Sequence, residues 1–571
     1  MPNADQRDIE WILHRDFPEE TIPSIGGGSW VTIHQGGSND YGIDCLLAPS
    51  DRVAEMLSEH ERTLRETNWQ PAALKEETGH TYCRFGTDDG LEPLVYVREY
   101  RGVRPVHLEL SEEFRHFHNL YFDATKGEFL MGLEDGTEEV VGKIDARSCE
   151  LRLRQLRQFL AIKRMHLVVH FWSWRESAIP VEELPQDELR GEFRDALTNY
   201  SYEASPYSRS SDPRVRTLSR VIGKKVVPPL RLERCGIWPF EDEPTYESFI
   251  IGTDDEGRPV EQTCARERLA DASGANPGAP IDLRPVFFRK GVMTKYLANP
   301  KRYTVQDGWL RCLSCWTMRI DNNHQDYVVV ALRDLGSLPR SEQTYWQSHN
   351  VAPDGSGVSE VNYRRNYLGL WTDAQAPDLV FKAAYERAGE AWMTRHGWLL
   401  FRELPEGDEH CLAALHQVTL DDHAEFDRQV ANLTKVLVDA INEAELGRRL
   451  PDKVKVEKGI TKLQRFLNNE GLSDVDSHIE FLRDLWGVRS TGVAHLKGEK
   501  YDKVASRLSI GDTGLPKAFD NLLARGSALL DWLREWCEAK QAHACLDADS
   551  RRETGLGPGP PQEEQRGVPV R

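Results

Sequence analysis

The stretch Arg489-Ser490-Thr491-Gly492-Val493-Ala494-His495 brings together two side chains suited to cutting a phosphodiester. A histidine that titrates near neutrality can take a proton from a ribose 2′-OH or return one to the leaving 5′-oxygen. An arginine can hold the charge that grows on the phosphoryl oxygens. Neither step calls for a metal. At about 100° per residue the two side chains would lie about 120° apart around an ideal helix. They converge only if the helix loosens at Gly492, ends near Gly498, or meets its copy in a symmetric dimer. Ser490 and Lys497 flank the pair as expected binding side chains. The competing structural role pairs Arg489 with Asp484 or Glu480 and leaves His495 capping a helix end, where the dipole favours it.

The elements that must position this pair are amphipathic helices. Thr419 reads as an N-cap with Asp422 in the first turn, and Phe426, Val430, Leu433, Leu437, Ile441 and Ala444 follow at helical spacing. Val456, Ile460, Leu463, Phe466 and Leu467 mark a second helix, closed by Gly471 as a left-handed cap. Ser473 or Asp474 opens a third that runs toward Arg489, and a fourth spans about 515–540. Four stripes with short connections predict an antiparallel bundle over 411–545.

An arginine followed at this spacing by a histidine, late in such a bundle, resembles the signature of HEPN domains. The resemblance covers the last quarter of the chain. It implies a small helical bundle, a metal-independent RNase of the kind found in bacterial toxins and antiviral systems, and a homodimer that brings two such helices together. By this resemblance Arg489 and His495 would be the catalytic pair. Many active members carry Asn, Asp or His directly after the arginine, where this chain has Ser490.

The rest of the chain reads as a mixed α/β body, so the expected fold class is a multidomain α+β protein, with an N-terminal domain over 1–112. Residues 119–174 run strand, turn, strand, helix, strand, and a similar order returns between Tyr246 and Trp316. That suggests a duplicated α/β module, its first copy at 113–235 and its second, with insertions, at 236–410. A helix is expected over about Ser50–Thr67. Ser201–Pro213 and residues 272–280 have loop composition, and 546–571 reads as a disordered tail.

A formal net charge of −20 sets the overall field against nucleic acid, so any contact has to be a local patch. Residues 451–510 supply one, with eleven Lys/Arg against nine Asp/Glu. RNA is the expected partner, and nothing specifies DNA. No run approaches the ~20 apolar residues of a membrane span, and the amino terminus lacks a secretory signal; a cytoplasmic address follows as the expectation.

Rival sites are few. Cys312 and Cys315 form the one close cysteine pair, inside a stretch from Gly308 to Ile320 that reads as strand, without the second pair zinc requires. Asp321, His324 and Asp326 could hold a metal, though such a segment more often bonds its own backbone. His116 with His118, and His166 with His170, would share faces of extended chain. No cofactor or metal is expected, and Ser24–Ser29 reads as a turn rather than a phosphate loop. The leading expectation is a regulated endoribonuclease effector. The alternative is a non-catalytic interaction or sensor protein that dimerises through the helical part.

Overall fold

The computed structural model describes residues 6–553 except 16, 18–21, 26–27, 37–39, 62–63, 65–71, 76–80, 85–89, 209–211, 420, 452–456, 491–498, 509 and 511–513. The chain divides into two compact units, Met1–Pro244 and Thr245–Arg571.

The first unit is organised by ten strands: β1 (Trp30–Gln35), β2 (Tyr41–Pro49), β3 (Tyr121–Asp123), β4 (Glu128–Gly132), β5 (Glu138–Ile144), β6 (Ser148–Arg152), β7 (Met165–Ser177), β8 (Arg190–Arg194), β9 (Thr198–Pro206) and β10 (Thr217–Val227). They form one sheet in the order β8-β9-β10-β7-β2-β1-β6-β5-β4-β3. Every neighbouring pair is antiparallel. Its centre is β7, paired along its length with β2 and β10.

Side chains alternate across the central strands, so each face needs its own cover. Leu47, Leu167, Val169 and Phe171 pack with Leu156, Phe159 and Leu160 of the Leu153–Lys163 helix. On the other face Leu46, Ala48, Val168 and Val226 meet Met56 and Leu57 of the Ser50–Ser58 helix. That helix is shorter than the expected Ser50–Thr67. Part of the expected Ser201–Pro213 loop is strand: β9 runs to Pro206 between β8 and β10. Its Ser-rich composition hid an alternation in which Tyr200 and Ala204 are buried.

In the second unit, Ser248–Thr253 pairs with Pro259–Thr263, Pro285–Arg289 lies between Tyr327–Ala331 and Asn350–Val351, and Tyr303–Gln306, Trp309–Cys312 and Trp316–Arg319 form a meander. The strand orders that look alike in the sequence are laid out differently. The strands of 119–174 all belong to the ten-stranded sheet, whereas those of 246–316 are shared among three small sheets. The helix of eleven residues at Leu153–Lys163 corresponds to only four at Thr294–Leu297.

A C-terminal helical region follows, with helices at Pro377–His396, His423–Thr434, Glu443–Arg449, Gly459–Asn469, Val475–Val488, Glu499–Arg507 and Leu515–Glu553. They share one apolar core. The N-cap of the second of these is Asp422, which accepts from the amides of Ala424 and Glu425, both at 3.2 Å. Thr419, the expected cap, instead donates its amide to Glu425. The expected stripe continuing to Ala444 is interrupted: a π-helical turn, Lys435–Asp439, ends that helix before Asn442 caps the next. Gly471 adopts the left-handed conformation, φ 76°.

Pro377–His396 belongs to this core and not to an α/β module. It starts with Pro377 at the first helical position, ends at left-handed Gly397, and buries Phe381, Ala384, Ala388 and Trp392. Its partner is the Leu515–Glu553 helix. A Cβ on Gly526 of that helix would stand 2.8 Å from the Phe381 ring, so glycine permits the approach. The Arg395 guanidinium lies 3.7 Å from the centre of the Trp536 ring. The helix reads poorly as a stripe because alanines occupy much of its buried surface.

Candidate functional site around Arg489

Arg489 continues the right-handed backbone at the end of the Val475–Val488 helix. That helix buries Ile479, Leu482, Leu485 and Val488, which fixes its rotation and leaves Arg489 partly exposed. Its Nη1 donates to Asp439 Oδ2. Asp439 is the last residue of the π-helical turn, in which the amide of Ala440 reaches back to the carbonyl of Lys435 at 2.9 Å. Such widened turns occur often at functional sites, because they change which side chains share a face.

The partners expected for Arg489 are occupied elsewhere or unpaired with it. Asp484 is nearly fully buried and accepts from Arg507, whose Nε lies 3.0 Å from Oδ1. A different acid therefore holds Arg489, one contributed by another helix. Around it lies a polar group that the sequence reading missed. Lys435 Nζ donates to Asp408 Oδ1 at 2.7 Å, and Arg402 Nη2 donates to the Asp439 carbonyl at 3.0 Å. Lys435 holds the Asp408 carboxyl below its ordinary value, with smaller contributions from His410 and Arg489. The one available signal was polar Asp439 interrupting the apolar run from Val436 to Ile441.

Ser490 Oγ donates to the Gly487 carbonyl at 3.1 Å, a bond within its own helix. Its hydroxyl is thereby turned to the backbone. His495 and Lys497 lie outside the described residues. Around Arg489, two cationic groups, Arg489 and Lys435, are each held by a carboxylate at a partly exposed surface, and Arg402 bonds the Asp439 carbonyl. An anion that displaced Asp439 would meet Arg489 with Lys435 close by.

The other candidates resolve into structural roles. Asp321 is buried, and its two oxygens accept from the hydroxyl and the amide of Ser359, both at 2.7 Å. His324 Nδ1 accepts from the amides of Asp326 and Tyr327 at 3.0 and 3.1 Å. The His324 bonds fold the segment on itself, as Asx-type turns do, and those of Asp321 tie it to Ser359. His116 lies on the Glu112–Phe117 helix with His118 at its cap, so the expected extended geometry is absent there. His118 Nε2 lies 2.9 Å from the Gln155 carbonyl, and burial lowers its pKa. His170 is buried beside Lys224 and Asp44, and burial brings its pKa down to about 4. Cys312 and Cys315 flank a turn between two strands, where a single strand was expected. Among the described residues, no three of His, Cys, Asp or Glu are grouped to hold a metal ion, and no helix is long and apolar enough to cross a membrane.

No family model matches the chain, and neither a curated protein nor a solved structure does.

Proposed function

We propose that the chain is a HEPN-like, metal-independent endoribonuclease effector of the bacterial toxin or phage-defence kind. Its helical region would cut RNA as a homodimer, and its mixed α/β part would regulate that activity. The observation that carries this reading is the placement of Arg489: at the end of a late helix, partly exposed, and tethered to Asp439 by an ion pair that a phosphate can replace. His495 would serve as the acid–base group and Arg489 as the phosphate clamp, with Ser490 and Lys497 as flanking binding groups.

The test is expression in bacteria and incubation of the purified full-length chain with RNA. Toxicity and cleavage are expected, with cleavage unaffected by EDTA and products ending in 2′,3′-cyclic phosphate. Arg489→Ala and His495→Ala should each lower the rate by about 100-fold or more. Cleavage that both variants retain would remove the assignment.

The second reading is a non-catalytic protein that dimerises through the helical region. It is favoured by Trp486, which lies one turn before Arg489 and is 47% exposed. Sedimentation separates the readings: a dimer abolished by Trp486→Ala, in a wild-type protein without RNase activity or toxicity, would select the interaction role.

A further inference from the structure

Two adjoining clefts in the second unit share Arg319, Ile320, Asp321, Asn362 and Asn366. They differ in character. One has apolar walls of Leu283, Val329, Val358 and Tyr367 beside the charged pair Arg333 and Asp334. The other is bounded by Asp307, Trp309, Asn323 and Arg365. Small-ligand sites combine apolar walls with a few placed polar groups, and here a compartment of mixed lining opens onto a more polar one.

The polar groups fall into two classes. Most are already engaged. Asp321 is held by Ser359. Arg365 pairs with Asp307 at 2.8 Å, and Arg333 pairs with Asp282 at 3.0 Å. The Asn323 side chain bonds Asp307 and the amides of Gln375 and Ala376. Arg319 is different: its guanidinium lies over the Trp309 ring, 5.0 Å from the centroid, and its charge reaches Asp334 in the same cleft without a direct ion pair among the described residues. Trp309 is itself 40% exposed. Asn362 and Asn366 line both clefts, the latter in a π-helical turn, Tyr363–Tyr367, that also carries Tyr367.

An arginine stacked on an indole offers a flat cationic surface to a ring and N–H donors to a phosphate. Side-chain amides in the same clefts can bond sugar hydroxyls or base edges. We propose that this double cleft binds a nucleoside 5′-monophosphate, with the base against Tyr367 and the apolar wall of the first compartment and the phosphate in the more polar one against Arg319. One guanidinium without a direct ion pair, in a cleft also lined by Asp321 and Asp334, suits a single phosphate better than a triphosphate chain. The assignment does not depend on RNA cleavage at Arg489. The same chemistry occurs in a free mononucleotide and at the 5′-phosphorylated end of an RNA strand.

The experiment is isothermal titration of the full-length chain with AMP, UMP, adenosine, inorganic phosphate and a 5′-phosphorylated trinucleotide. AMP or UMP should bind, with adenosine and phosphate each at least about tenfold weaker. Tighter binding of the trinucleotide would assign the site to a strand end, and its exclusion to a free nucleotide; both support the proposal. Arg319→Ala and Trp309→Ala should each weaken binding by about tenfold or more, whereas Trp309→Phe should retain most of it. Thermal melts matching wild type establish that the variants are folded. No heat with any phosphorylated probe at millimolar concentration overturns the proposal. So does inorganic phosphate binding as tightly as AMP, or binding unchanged in the folded Arg319→Ala protein.

Discussion

Arg489 and Asp439 are joined by an ion pair across 50 residues of sequence, one at the end of the Val475–Val488 helix and the other in a π-helical turn. The pair is partly exposed, so its contribution to stability is under about 1 kcal/mol. Asp439→Asn is therefore expected to leave the melting temperature nearly unchanged while freeing the guanidinium. RNA affinity, measured by filter binding, should rise for Asp439→Asn and fall for Arg489→Ala. The increase should shrink as salt is raised. Equal affinity for both variants would detach Arg489 from any RNA-binding role.

A second prediction concerns the buried carboxylate Glu342. It accepts from Lys295 Nζ and from the Tyr296 hydroxyl, both at 2.7 Å, and Trp346 Nε1 donates to the same Tyr296 oxygen at 2.7 Å. Removing one member of a buried charged network leaves its partners unsatisfied, at a cost of about 3–5 kcal/mol. Glu342→Ala should lower the denaturation midpoint of the second unit accordingly. A loss below 1 kcal/mol would mean water replaces the carboxylate.

The pH dependence of the first unit follows from His170. Burial, aided by Lys224, lowers its pKa to about 4, while Asp44 acts in the opposite sense. The unfolded chain then binds more protons than the folded one between pH ~6.5 and 4. The contribution is full above pH ~6.5 and is lost as pH falls toward 4, by up to about 3 kcal/mol. Urea melts of wild type and His170→Gln at pH 7 and pH 5 should show a smaller decline in the variant. Identical declines would place the proton uptake elsewhere.

Gly526 tests the contact between the Pro377–His396 and Leu515–Glu553 helices. The Phe381 ring leaves no room for a Cβ there, so Gly526→Val should destabilise the helical region by about 1–3 kcal/mol, read by circular dichroism during denaturation. An unchanged melt would show that the helices part without cost. The same contact implies that a fragment beginning at residue 411 lacks a core helix, and that one beginning before Pro377 is the better folding unit.

What the sequence determined by itself was local. Phe426, Val430 and Leu433 lie on one helix, Ile479, Leu482 and Leu485 on another, and the first half of β7 is rich in apolar residues, because hydrophobic periodicity is written in neighbouring residues. That the Val475–Val488 helix runs toward Arg489 was legible for the same reason. Tertiary structure decided which groups meet. Asp439 reaches Arg489 because a π-helical turn rotates it there, where helical spacing alone pointed to Asp484 or Glu480. The Pro377–His396 helix joined the helical core because alanines and Gly526 allow close approach, a property of the pair and not of either stripe. Arg319, Trp309, Asn362 and Asn366 come from separate elements, and no spacing in the chain announces a cleft whose walls converge only when those elements pack.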